Sequence, residues 1–323
     1  MADTPHIPTL AISARGLEKT YAASGNNPPK HALKGIDLDI PQGSIFGLLG
    51  PNGAGKSTFI NILAGLVVKS AGTADVWGFD IDANPRMARA SIGVVPQELN
   101  LDAYFTPLES MELQAGLYGV PKNKRRSMEL LDAMKLGDKA NAYARSLSGG
   151  MRRRLLVAKA MVHQPPILVL DEPTAGVDLE LRKQLWDYVQ DLNRQGVTIV
   201  LTTHYLEEAQ ALCDRIAIID HGEVVACDDT SNLLSLIDRK TLVIKPQQAM
   251  QVLSPTLQNA LAAFDPVLKP DGKLRLTFNP GQATAGDILN VLQTQGMAIA
   301  DIETEGTSLE NVFMKLTSRS TAA

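Results

Sequence analysis

Cysteine is nearly absent from this 323-residue chain, which has only Cys213 and Cys227. Two thiols with no metal-ligand cluster nearby exclude a disulfide framework and read as plain thiols in a reducing compartment. No run approaches ~18 apolar residues, so no segment is expected to span a membrane and any membrane role must come through a partner. A basic-then-apolar leader is also missing, so no signal peptide is expected. With 31 Lys plus Arg against 35 Asp plus Glu, the formal net charge is -4, which supplies no positive coat for nucleic acid. What remains is ordinary for a folded chain of one large or two modest domains: 45% apolar and 20% charged residues.

The most informative stretch is Gly50-Pro51-Asn52-Gly53-Ala54-Gly55-Lys56-Ser57-Thr58. An apolar run over 45–49 precedes it and predicts a buried parallel strand, and an apolar-striped segment over 59–66 predicts a helix. Strand, glycine-rich loop and helix together form a phosphate-binding context. Glycines let backbone N–H groups point inward, the helix start adds its positive end, and Lys56 adds a point charge for β- and γ-phosphates. Ser57 is placed to offer its hydroxyl to Mg²⁺.

A second apolar run, 167–170, stops at Asp171-Glu172-Pro173. An Asp at a strand end beside a phosphate loop suits Mg²⁺, directly or through water. Adjacent strand-end side chains diverge, which leaves Glu172 to polarise a water for attack on a γ-phosphate. Gln97 follows a predicted strand at 92–95, and His204 follows another at 197–202; polar residues just past strand ends are where α/β nucleotide sites collect their ligands. Tyr21, in a flanking sheet, either stacks on a base or is a half-buried strand tyrosine.

Residues 98–146 lose all strand character. Thr106-Pro107-Leu108-Glu109 predicts a helix start with a capping box, and helical patterns continue to 117 and over 124–134. Leu147-Ser148-Gly149-Gly150-Met151 then opens a strong helix with a second anion-ready N-terminus. A second phosphate-type end beside one phosphate loop makes sense if Ser148, Gly149 and Gly150 serve another subunit's nucleotide. Arg152, Arg153 and Arg154 read as a solvated helix face rather than a nucleic-acid patch. Residues 180–195 predict an amphipathic helix with Leu181, Leu185, Val189 and Leu192 on one face, and 216–226 a hairpin turning at His221-Gly222. Beyond 232 the periodicity weakens: strands at 241–244, 274–278 and 298–302, and helices at 249–264, 283–293 and 309–316, suggest a small α/β appendage.

These motifs, in this order and spacing over about residues 10–230, resemble the ATP-binding subunit of ATP-binding-cassette (ABC) transporters. Residues 50–58 look like Walker A, Gln97 like the Q-loop, 147–151 like the signature motif, 167–172 like Walker B, 175–178 like the D-loop and His204 like the switch histidine. The resemblance implies a P-loop NTPase α/β fold: an ABC-type domain over 8–236 with a helical insertion at about 98–160, a C-terminal domain over 237–318 and a tail over 319–323. It implies ATP and Mg²⁺ as ligands, with Tyr21 stacking on adenine, Asn52, Gly53, Gly55, Lys56, Ser57 and Thr58 holding the nucleotide, and Ser57, Gln97 and Asp171 around the metal. Glu172 would be the catalytic carboxylate and His204 would contact the γ-phosphate. Two copies would sandwich ATP as a homodimer on the cytoplasmic face of the membrane, powering an integral permease, with no nucleic-acid partner. Met151 departs from the family, where the signature ends in Gln, and Met cannot reproduce the amide's hydrogen bonds. The Leu-Ser-Gly-Gly-Met-Arg-Arg-Arg-Leu form and the ending Leu309-Glu310-Asn311-Val312-Phe313 also resemble the daunorubicin-resistance-like and nodulation-factor-like exporters, which pair with type-2 permeases. An importer subunit is the alternative within transport. A soluble cassette working on ribosomes or DNA fits less well, since such proteins join two cassettes or carry long coiled coils. A small-molecule kinase would leave 148–150 unexplained.

Overall fold

A computed structural model of the chain describes residues 8–317 apart from 24, 26–27, 175–176, 178, 237–239, 249, 280 and 306–307. In chain order the strands and α-helices are β1 (Leu10–Tyr21), β2 (Lys30–Pro41), β3 (Ile45–Leu49), α1 (Lys56–Leu63), β4 (Ala71–Val76), β5 (Phe79–Asp80), α2 (Pro85–Ala90), β6 (Ile92–Val95), α3 (Pro107–Leu117), α4 (Ser127–Ala133) and α5 (Gly149–Ala160). There follow β7 (Ile167–Asp171), α6 (Leu179–Arg194), β8 (Thr198–Thr202), α7 (Leu206–Leu212), β9 (Arg215–Asp220), β10 (Glu223–Asp229), α8 (Thr230–Ser235), β11 (Lys240–Pro246), α9 (Pro255–Ala260), β12 (Val267–Leu268), β13 (Leu274–Phe278), α10 (Ala285–Thr294), β14 (Ile299–Glu305) and α11 (Leu309–Thr317). The chain divides into two compact units, with Ser231–Lys315 forming the second.

In the first unit β3 is the central strand. It pairs in parallel with β8 on one side and β9 on the other, within the order β10-β9-β3-β8-β7-β6. Every residue of β3 and β8 is buried. That is why both read as continuous apolar runs: parallel strands covered on both faces have no solvent side to alternate with. A second, antiparallel sheet has the order β2-β1-β4-β5. Phe59, Ile60, Ile62 and Leu63 of α1 join one core with Ile12, Leu17, Leu33 and Ile36 from that sheet and Phe46 and Leu48 from β3. The helix that follows the phosphate loop is thus wedged into the core, which fixes the loop at its start. Because β3, β6, β7 and β8 run in parallel, the residues just past their carboxyl ends converge on one edge.

Between β6 and β7 the described chain runs through α3, α4 and α5 without a strand. The start of α3 is built as the sequence predicts. Thr106 Oγ1 accepts from the Glu109 N–H (3.2 Å), Glu109 Oε2 accepts from the Thr106 N–H (2.8 Å), and Pro107 takes the first helical position. The amphipathic helix α6 buries Leu185, Trp186, Val189 and Leu192.

The second unit orders its strands β12-β13-β11-β14, all antiparallel, with α9 and α10 as crossovers. This is a split βαβ arrangement. It has its own core of Leu242, Ile244, Leu274, Leu276 and Phe278 packed with Leu257, Leu261, Ile288 and Leu292. The helix predicted over 249–264 is shorter than expected, running only Pro255–Ala260. Pro255 lacks an N–H and takes the first position, and Ser254 Oγ accepts from the Leu257 N–H at 3.3 Å, so the helix starts there.

Candidate active site

The phosphate loop leaves buried β3 at Gly50, where an added Cβ would lie 2.1 Å from the Ile219 carbonyl oxygen. At Gly55 the backbone is left-handed, with φ 115°, and a Cβ would meet the Ala32 carbonyl oxygen at 2.7 Å. Only glycine fits either position. Lys56 opens α1, and its Nζ donates to the carbonyl oxygens of Gly50 (2.7 Å) and Pro51 (3.2 Å). Burial draws the Lys56 pKa below the usual lysine value, while the charges of Glu172 and Asp171 oppose that shift. Ser57 is exposed at the mouth and Thr58 is half-buried. Tyr21 ends β1 at 38% exposure. Its hydroxyl lies 3.4 Å from Thr58 Oγ1, and Lys19 Nζ sits 4.9 Å from its ring centroid. One ring face therefore carries a cation.

Asp171 ends β7, and its Oδ1 accepts from the Thr202 hydroxyl at 2.5 Å. Glu172 then leaves the strand in the left-handed region, with φ 47°. A non-glycine residue holds that conformation only where its surroundings impose it. Here the Glu172 N–H is shared between the carbonyl and hydroxyl oxygens of Thr202, each at 3.1 Å. Glu172 Oε2 accepts from Gln97 Nε2 at 2.8 Å and lies 3.4 Å from His204 Nδ1. Four strand ends thus deliver four side chains: Lys56 after β3, Gln97 after β6, Glu172 after β7 and His204 after β8. All four line one cavity of about 580 Å³, together with Tyr21, Lys30, Ala32, residues 52–58 and Asp171.

Among the described residues no group of three His, Cys, Asp or Glu is arranged to hold a metal ion alone. Ser57 and Asp171 line the same cavity, however. A hydroxyl and one carboxylate suit Mg²⁺, which keeps several waters and takes phosphate oxygens as ligands.

Ser148, Gly149 and Gly150 do not line this cavity. Ser148 caps α5, its Oγ accepting from the Met151 N–H at 3.2 Å. Both Ser148 and Gly149 are exposed, and a Cβ on Gly149 would meet nothing within 4 Å. The three arginines that follow are not the solvated face that the sequence suggests. Arg153 is 5% exposed and shares the inner face of α5 with buried Leu156, Val157 and Ala160. Helical spacing at 153, 156, 157 and 160 was the available signal, hidden by the run of like charge. Thr202, Lys30 and Ala32 are further site residues that sequence reasoning misses. Of the D-loop motif, Ala175, Gly176 and Asp178 lie outside the described residues.

Comparison with known proteins places this geometry. The ABC transporter family model matches residues 33–175. The daunorubicin/doxorubicin resistance ATP-binding protein DrrA of Streptomyces peucetius is 42% identical over 244 residues, 75% of this chain and 72% of that protein. The Nod factor export ATP-binding protein I of Rhizobium sp. (strain N33) is 35% identical over 316 residues, covering 96% of this chain and 98% of that protein. Among solved structures, a dimeric ATP-binding cassette in a post-hydrolysis state, bound to ADP and phosphate, aligns with a TM-score of 0.61 at 28% identity, over 68% of this chain and 98% of that one. The chain belongs to the ATP-binding subunits of ABC transporters. It binds ATP, and it is the ATP-hydrolysing partner of a separate permease. No helix among the described residues is long and apolar enough to cross a membrane.

Proposed function

We propose that two copies of this chain close head to tail over two ATP molecules and drive export through a type-2 permease, with the dimer held peripherally at the cytoplasmic face of the membrane. The observation that carries the proposal is the division of labour within one copy. Lys56, Gln97, Asp171, Glu172 and His204 share a cavity from which Ser148, Gly149 and Gly150 are excluded. A helix start exposed in this way is suited to a phosphate held by another copy.

In this reading Tyr21 stacks on adenine, and the N–H groups of residues 52–58 cradle the phosphates. Lys56 turns from the Gly50 and Pro51 carbonyls to the β- and γ-phosphates. Ser57 and Asp171 would hold Mg²⁺, with Gln97 at its edge; when bound, the ion neutralises charge on the phosphates. Glu172 orients a water and accepts its proton as the water oxygen bonds to the γ-phosphorus. The bond to the bridging oxygen breaks, and ADP and phosphate leave. His204, 3.4 Å from Glu172, would contact the γ-phosphate. The export assignment rests on full-length similarity to a protein named for Nod factor export. Drug-, lipid- and polysaccharide-like cargo all fit, because cargo would touch the permease. The test is co-purification of Glu172→Gln with ATP from solubilised native membranes. A small polytopic protein in the eluate supports the proposal; a soluble ATP-dependent dimer without one, or one carrying ribosomes or DNA, refutes it.

A further inference from the structure

Arg153 is a buried cation that the phosphate chemistry above does not use. It lies on the second turn of α5 and is 5% exposed. Its Nη1 donates to the Pro96 carbonyl oxygen and its Nη2 to the Gln97 carbonyl oxygen, each at 2.8 Å. Both acceptors are neutral. Burial lowers the guanidinium pKa, and the charges of Asp171 and Glu172 oppose that shift, so the cation sits within reach of the field of both carboxylates. A buried charge is costly unless its geometry is good and its donors are used.

The two carbonyls flank the Cα of Gln97. A rigid guanidinium fork gripping both fixes the peptide planes on either side of that residue, which a point donor such as lysine cannot do. Those planes set the direction of the Gln97 Cα–Cβ bond, and the side-chain amide donates to Glu172 at 2.8 Å. Helix α5 therefore has two connections. Its exposed start carries Ser148, Gly149 and Gly150; one turn further on, Arg153 grips the residue that holds Glu172.

We infer that Arg153 is a positioning residue that ties the start of α5 to Gln97 and Glu172 of the same copy. When residues 148–150 engage the nucleotide of the opposite copy, the displacement of α5 is passed through Arg153 to the carboxylate that works on the copy's own ATP. This inference rests on the head-to-tail dimer proposed above. Chains of hydrogen bonds joining rigid elements are a physical route for such coupling, and its evidence is cooperativity rather than proximity.

The test uses the full chain with Arg153→Gln and Arg153→Lys. Turnover is measured against ATP concentration, alongside thermal midpoints and ATP-dependent dimerisation in a Glu172→Gln background. Arg153→Gln is expected to lower kcat by about tenfold or more with KM changed by less than about threefold, the signature of a lost transition-state interaction. The Hill coefficient should fall from above 1 toward 1 while the ATP-dependent dimer persists. Arg153→Lys keeps the charge but not the fork, so it should recover the thermal midpoint and not the Hill coefficient. An unchanged kcat and Hill coefficient in either variant overturns the inference. So does recovery of both by lysine, which would mean that charge and packing alone were lost. If Arg153→Gln does not fold, Arg153→Lys decides alone by the same criteria. Failure of Glu172→Gln itself to dimerise with ATP refutes the dimer reading independently, and the coupling between copies with it.

Discussion

Two helices in this protein begin with glycine-rich turns, and they are built in opposite ways. The start of α1 is locked in place: glycines pass within clash distance of the Ile219 and Ala32 carbonyls, and Phe59 and Ile62 anchor the helix in the core. Its cation, Lys56, sits in the shared cavity with Gln97, Asp171, Glu172 and His204. The start of α5 is less enclosed. Gly149 has space around it, Ser148 caps its own helix, and neither lines that cavity, although Leu181 of α6 closes on Gly150. In the head-to-tail dimer proposed above, the two starts would be complementary halves of one site. A helix terminus alone does not mark a complete anion site; what surrounds it decides.

Substitutions in the cavity and at the two helix starts should act differently. Glu172→Gln should reduce ATP turnover by about 10²- to 10⁴-fold, the range of a lost general base, while ATP stays bound. Phosphate release with parallel nucleotide binding checks it, and substantial residual turnover would remove Glu172 from its role. Gly55→Ala, placed against a carbonyl at φ 115°, should destabilise the first unit by about 2–4 kcal/mol and abolish nucleotide binding. Gly149→Ala should change stability by less than about 0.5 kcal/mol and leave single-copy ATP affinity alone, yet suppress turnover. Urea midpoints and nucleotide titrations of the pair decide it. If both alanines act on stability alike, the contrast between the two helix starts is wrong. Ser148→Ala should cost about 1 kcal/mol as a lost cap, with turnover falling further than stability explains.

A last effect lies outside the site and serves as a control. His163 stacks on Tyr118 with ring centroids 3.7 Å apart, and burial holds its pKa down at about 4. The unfolded state takes up a proton below the ordinary histidine value of about 6.5, and the folded state does so only near 4, so stability is lost as pH falls through that window. His163→Phe keeps the stack and removes the proton. It should recover about 1–2 kcal/mol at pH 5 and change little at pH 7, as denaturant midpoints at the two values would show.

How much of this was legible in sequence varies with how local the signal is. Asp171 and Glu172 are readable because they sit where an apolar run stops, and Lys56 because it ends a glycine-rich loop that follows one, so strand end and chemistry are read together. Gln97 and His204 are single polar residues, made meaningful by parallel strands that converge. Their meeting at Glu172, at 2.8 and 3.4 Å, is tertiary information. Lys30 and Ala32 reach the cavity from β2 in the other sheet, and no local pattern announces that. Arg153 misleads because three arginines in a row mask the helical period of their neighbours. In the second unit, the alternation of Leu274, Leu276 and Phe278 marks β13 directly, whereas two-residue β12 is too short to carry a pattern.

The position of β3 also bears on how the protein is made. The strand and its glycine loop are synthesised early, yet β3 is flanked by β8 and β9, which emerge from the ribosome much later. Such long-range pairings must wait for the intervening chain and slow folding. Until β9 arrives, the Ile219 carbonyl that crowds Gly50 is not in place. Nucleotide binding by a nascent chain would therefore report the seating of β9, and ATP in the cell would stabilise the first unit only after that last parallel strand is in place.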